Sequence, residues 1–134
     1  KGEPSMKKFI NITIIILLLI AVCVVEQVLA DKYLAEVEAR VDTIYENFIA
    51  LDDINDTKLI AQTNELEEYW TAKESVLCNF VNHKDIEDIG VEINKMQTAT
   101  KNSNKEQYYE SLKLVKFYLM GYKHVIGISI QNIF

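Results

Sequence analysis

Residues 9–25 carry no charged side chain, and only Asn11 and Thr13 among them are polar. No other feature constrains the chain so tightly. At ~1.5 Å of helical rise per residue the run covers about 25 Å, a little under the ~30 Å hydrocarbon core of a bilayer. Glu26 and Gln27 interrupt it, and Val28, Leu29 and Ala30 extend it if the Glu26 carboxylate reaches toward the headgroups. Lys7 and Lys8 stand before the run, while Glu26 and Asp31 follow it. Cationic flanks stay in the cytoplasm, so the expected topology has the N-terminus inside and everything from Asp31 onward exported. The expected layout is a cytoplasmic stub over residues 1–8, a transmembrane signal anchor over 9–30, and an extracytoplasmic domain over 31–134 at the cytoplasmic membrane. Met6-Lys7-Lys8 reads as a natural start, so residues 1–5 are set aside as a scar or upstream read-through. A cationic start, an apolar middle and a small residue before a cut also describe a secretory signal. Val28-Leu29-Ala30 before Asp31 is an acceptable cleavage site, and a secreted helical protein cut after Ala30 is the alternative.

The exported part is long enough for one small core and not for two. Pro4 is the only proline and the chain has four glycines, which permits long uninterrupted helices. The two cysteines, Cys23 inside the apolar run and Cys78 beyond it, are kept apart by an intact span, so no intrachain disulfide framework is expected. Cys78 is expected to pack as a small apolar residue. From residue 31 to 93 there are 16 Asp and Glu against 5 Lys and Arg, a net charge of −11; from 94 to 134 there are 2 against 6, a net of +4. A basic last helix lying beside acidic earlier ones would relieve their repulsion. Nucleic acid is a poor partner for such a domain: its net charge is −7. Lys101, Lys105, Lys113, Lys116 and Lys123 are not interleaved as a stacking platform, and an exported domain is the wrong location.

Leu34, Val37, Val41, Ile44, Phe48 and Leu51 recur at alternating steps of three and four, the stripe of an amphipathic helix or coiled-coil seam. Asp52, Asp53, Asn55 and Asp56 break the pattern and offer N-cap side chains to a second helix over residues 57–81. Leu59, Thr63, Leu66, Trp70, Leu77 and Phe80 share its inner face, with Lys73 interrupting it. Trp70 is expected to be a core anchor. Asn82-His83-Lys84-Asp85 has cap spacing and opens a third helix, whose stripe is Ile86, Ile89, Ile93 and Met96 and which ends in the polar stretch 98–104. Ser103-Asn104-Lys105-Glu106 reads as a capping box for a fourth, with Tyr108, Leu112, Val115, Leu119 and Tyr122 as its seam. The fold expected is all-α: an N-terminal transmembrane helix followed by an antiparallel bundle of three to four helices with a short apolar C-terminal tail. The same stripes can close between chains, so a homo-oligomer stays open. In the tail, Ile126, Ile128 and Ile130 alternate with Gly127, Ser129 and Gln131, a period of two. Such a tail either folds back along the bundle or meets a partner through Ile128, Ile130, Ile133 and Phe134, as an added strand or beside a membrane protein.

No phosphate-binding glycine loop, CxxC pair, HExxH or GxSxG occurs, and the aspartates of residues 52–56 lack the glycine turn and terminal glutamate of a calcium loop. No enzyme activity and no cofactor are expected. One constellation stands slightly apart. In antiparallel third and fourth helices, His83 and His124 share one end of the bundle with Asp85 and Glu87, a set able to bind zinc or copper or to act as a pH-sensitive joint. Against it, His83 reads as part of a cap and His124 as a boundary residue, and no metal site is assigned.

A lysine-led apolar segment, Trp70 upstream of His83, the run Phe80-x-x-His83-x-x-Ile86-x-x-Ile89, His124, and the ending Ser129-x-x-Asn132-Ile133-Phe134 together resemble domain-of-unknown-function family 4363. The resemblance implies a small bacterial membrane-anchored helical protein. It transfers no catalytic residue, because the family has no established activity. The functional expectation is therefore a non-enzymatic accessory or interaction module of the bacterial cell envelope, partnered by the lipid bilayer and another envelope protein. A ligand or metal sensor signalling through a partner is the alternative.

Overall fold

A computed structural model describes the chain from Met6 to Gln131, with side chains as far as Lys123. Four helices account for it: α1 (Met6–Leu51), α2 (Thr57–Leu77), α3 (His83–Lys101) and α4 (Lys105–Gln131). Consecutive helices pack against each other and α4 returns to α1, closing an up-down-up-down ring. No strand occurs among the described residues.

The apolar run and the first amphipathic stripe turn out to be one helix. α1 has 46 residues and is about 69 Å long at ~1.5 Å per residue. Its burial changes abruptly along its length. Phe9, Leu17 and Val28 are 75%, 60% and 60% exposed, whereas Ala30, Val37 and Val41 are fully buried. The helix is long and apolar enough at its N-terminal end to cross a membrane. Ala30, Leu34, Val37, Val41, Ile44 and Phe48 form its buried stripe. Leu51 falls outside that stripe and is exposed, because the helix ends there and Asp52 turns the chain with φ 51°. The Asp52 N–H donates to the Phe48 carbonyl at 3.0 Å.

The polar joints work as caps, with shifts from the expected positions. Asp56 caps α2, accepting from the Lys58 and Leu59 N–H groups at 2.9 and 3.1 Å. Asn82 caps α3 through the Lys84 N–H at 3.1 Å. The cap of α4 is Asn104, which accepts from the Gln107 N–H at 3.0 Å. Ser103 is one residue too early to cap: it takes the left-handed conformation (φ 53°) that ends α3, and its hydroxyl donates to Asn55 Oδ1 at 2.8 Å. That bond ties the α1–α2 and α3–α4 turns together at the end of the bundle far from the apolar segment. Helix α2 stops at Leu77, short of residue 81. The intervening residues form a turn in which the Phe80 and Val81 N–H groups both reach the Leu77 carbonyl, at 3.0 and 2.9 Å. The chain must reverse there for α3 to lie antiparallel, and Val81 is buried in doing so.

The tail departs further from expectation. Its period-two alternation does not make a strand or a separate tail: the backbone stays helical through Gln131 as the last part of α4. Extending an established helix fixes one residue per added hydrogen bond, and no neighbouring strand competes for those bonds. Ile133 and Phe134 lie outside the described residues.

Inside the ring, Tyr108 of α4 reaches across to α2. Its hydroxyl lies 2.7 Å from Thr63 Oγ1, and Thr63 donates in turn to the Leu59 carbonyl at 2.8 Å. Phe48 packs on the Tyr108 and Tyr109 rings at 5.2 and 5.7 Å between centroids. Trp70 is buried against Gly90 of α3, and a Cβ at that glycine would lie 2.8 Å from the indole Nε1 and 3.3 Å from Glu74 Oε1. Gly90 thus sets how closely α2 approaches α3. The Gly90→Ala variant gains helix propensity of about 1 kcal/mol, which overpacking of about 1–3 kcal/mol outweighs. Its thermal midpoint in detergent is expected to fall by several degrees, whereas Gly121→Ala, with open space around it, is expected to hold or rise.

Candidate functional site

Charge complementarity fixes how α4 lies along α1. Lys105 pairs with Asp52, Lys116 with Asp42 at 2.7 Å, and Lys123 with Glu38. Each step along α4 is a step back along α1. The basic last helix does lie beside an acidic one, as the charge division along the chain predicts. These pairs are half-exposed and individually worth little, so their effect is on register more than on stability. Lys116 also lies over the Tyr45 ring at 4.4 Å, and Lys113 over Tyr109 at the same distance. Lys73, which breaks the apolar face of α2, sits 4.8 Å from the Tyr33 ring centroid.

Where α1 leaves the apolar segment, the α2–α3 turn and α4 leave a cavity of about 410 Å³. Gln27 lines it from α1, Phe80, Val81 and Asn82 from the turn, Asp85 from α3, and Phe117, Tyr118, Gly121 and Tyr122 from α4. Its size falls within the range of small-molecule pockets. The walls are mainly aromatic and apolar. Burial pushes the Tyr122 hydroxyl above its ordinary range, the negative charge of Asp31 adds to this, and the Gln27 side chain works against both. A second groove of about 450 Å³ opens at the far end, between Phe48, Ile49, Tyr109 and the Asp52–Lys105 pair.

The residues singled out from sequence are only partly brought together. His83 and Asp85 are exposed on the first turn of α3 and Glu87 at the start of the next, and Asp85 also lines the cavity. The side chains of His124, Ile128 and Ile130 lie outside the described residues, although their backbone belongs to α4. Among the described residues no group of three His, Cys, Asp or Glu side chains is placed to hold a metal. Cys78 packs half-buried against the core, and burial, followed by the charges of Glu74 and Glu87, pushes its thiol up. Such a thiol stays protonated near neutrality and is a weak nucleophile. Sequence reasoning missed Gln27, Phe80 and Phe117 as cavity residues. Phe117 did carry a signal: it is a large apolar residue off the Tyr108–Leu112–Val115–Leu119 seam.

The sequence profile of one family, Domain of unknown function (DUF4363), matches residues 29–133. The chain belongs to this family. The match takes in the whole bundle and the end of α4 and begins where α1 becomes buried. No curated protein and no solved structure matches the chain.

Tyr108 gives the bundle a built-in titration. Burial pushes its hydroxyl up to about 12 against an ordinary value of 10.0, the Thr63 hydrogen bond offsetting part of the effect. The neutral phenol is favoured by folding, so this contribution is complete below about pH 10 and is lost as the pH rises toward 12. Phenolate absorbance of the folded chain is expected to show a tyrosine still protonated near pH 11, about halfway through that window, and Tyr108→Phe should remove it. The same variant is expected to cost about 1 kcal/mol in thermal unfolding, the worth of one buried hydrogen bond.

Proposed function

We propose that the chain is a single-span, membrane-anchored helical module of the bacterial envelope, with its N-terminus in the cytoplasm and its bundle outside. It acts without catalysis, as an accessory that presents its surface to another envelope protein. The observation that carries the reading is α1 itself. One helix holds twenty-odd residues of exposed apolar surface and then, without a break, the first seam of a packed core. An apolar surface of that length is stable in hydrocarbon and not in water. An unbroken helix also couples the two parts mechanically, because bending it at residues 26–31 would break backbone hydrogen bonds. The bundle is thereby carried at a set height, with Ile49 and Leu51 exposed at its outer end. Support for a role in binding comes from these outer residues and the groove beside them, whose lining combines two aromatic side chains with an ion pair.

Fractionation of bacteria expressing the full chain tests the anchor. The protein is expected to stay with the membrane through alkaline extraction, to be digested by protease added from the outer side, and to keep Lys7 and Lys8 at its mature N-terminus. A soluble product beginning at Asp31 would instead establish the secreted form. Photocrosslinking from Ile49 in native membranes is expected to recover one defined envelope protein; only self-crosslinked or unlinked chain would refute the accessory role.

A further inference from the structure

The end of α4 lies in a position that the anchored reading alone does not require. The Lys105–Asp52, Lys116–Asp42 and Lys123–Glu38 pairs set an antiparallel register between α4 and α1. The side chain of Tyr122 already reaches the level of Gln27 and Asp31. Helix α4 continues for eight residues beyond Lys123, to Gln131. At ~1.5 Å per residue this is about 12 Å more. In the same register it brings the backbone of residues 124–131 back beside residues 26–34 of α1, where the apolar run ends and the bundle begins. Four of those eight residues, Val125, Ile126, Ile128 and Ile130, are large and apolar, and none is acidic or a lysine or arginine. The helix surface that leads to them is also uncovered: Phe117 and Met120 are 68% and 64% exposed.

We infer that the last two turns of α4 are a second membrane contact, seated in the outer interface of the bilayer beside the anchor. The occupant of this apolar helix end is lipid. Its register places it at the depth where the anchor passes from hydrocarbon to water, and its composition matches that depth. Apolar side chains at such a site bury ~5–10 Å into the boundary between headgroups and acyl chains. Two attachments, one spanning and one interfacial, oppose tilting of the bundle against the membrane surface, because a tilt would lift one contact out of its depth or sink it. The inference rests on the anchored reading.

The full chain, reconstituted in vesicles of phosphatidylcholine and phosphatidylglycerol, tests it with tryptophan as the depth probe. Ile128→Trp is compared with Ile49→Trp at the far end of the bundle, and the unsubstituted chain supplies the response of Trp70. With lipids brominated near the headgroup end of the acyl chains, the added emission of Ile128→Trp is expected to fall to half or less. Ile49→Trp should respond no more than the unsubstituted chain. Ile126→Trp provides a second reading if circular dichroism shows that Ile128→Trp has lost helix. A co-floating chain whose probes at 126 and 128 are quenched no more than the one at 49 overturns the inference and leaves the anchor standing. Blue-shifted emission without quenching assigns the segment to a protein contact, which also overturns it. Failure of the unsubstituted chain to float with vesicles refutes the anchored reading and the inference with it.

Discussion

The continuity of α1 is the constraint on which the rest depends. Its backbone hydrogen bonds run from Met6 to Leu51, while its surroundings change completely near Ala30. Over residues 9–25 the helix is exposed and almost wholly apolar on every face; beyond Ala30 a single stripe is buried and the other faces carry Glu36, Glu38, Arg40 and Asp42. A helix interior satisfies its own polar groups in either setting, which is why one secondary structure serves both. Because the helix is unbroken, the direction of the apolar segment is also the axis around which the bundle is built. Helices α2, α3 and α4 have only to cover its stripe and one another.

Two kinds of contact do that covering. The apolar seams supply the energy and are indifferent to small changes in register. The polar contacts choose among registers: Tyr108 with Thr63 across the centre, Ser103 with Asn55 between the far turns, and three lysines of α4 with Glu38 and Asp42 of α1 and Asp52 just past its end. Gly90 belongs with this second group, since its missing Cβ decides the α2–α3 separation at Trp70. The turns are tight and capped, so the bundle has little slack at its far end. At the other end, the aromatic cavity beside Gln27 and Tyr122 is a gap in the packing between α1, the α2–α3 turn and α4.

Much of this arrangement is legible in the sequence. The stripe through Leu34, Val37, Val41, Ile44 and Phe48 follows from the helical period, as do those of α3 and α4, and the caps at Asp56 and Asn82 follow from side-chain chemistry. The errors have a common origin. Ser103 and Asn104 are both good caps, and only the geometry of the preceding helix end decides between them. Val81 continues the pattern of α2 but is drawn into a turn by the core it must cover. Ile126, Ile128 and Ile130 alternate as a strand does, yet a strand needs a neighbour, and in a helical ring none is offered. Phe117 lies off the seam of α4, and only the approach of the α2–α3 turn and α1 makes it a wall of the cavity.

What the sequence by itself determined is therefore everything governed by periodicity and transfer from water: the apolar run, the helices, their inward faces, and the opposite charge of the last segment. Those depend on residues near one another along the chain. Tertiary structure alone decided that the apolar run and the first seam are one rod. It also set the register of α4 on α1, the bond between Tyr108 and Thr63, and the helical state of residues 126–131. Each of these depends on which distant groups come into contact, and a one-dimensional pattern of hydrophobicity is the same for every register that buries the same faces.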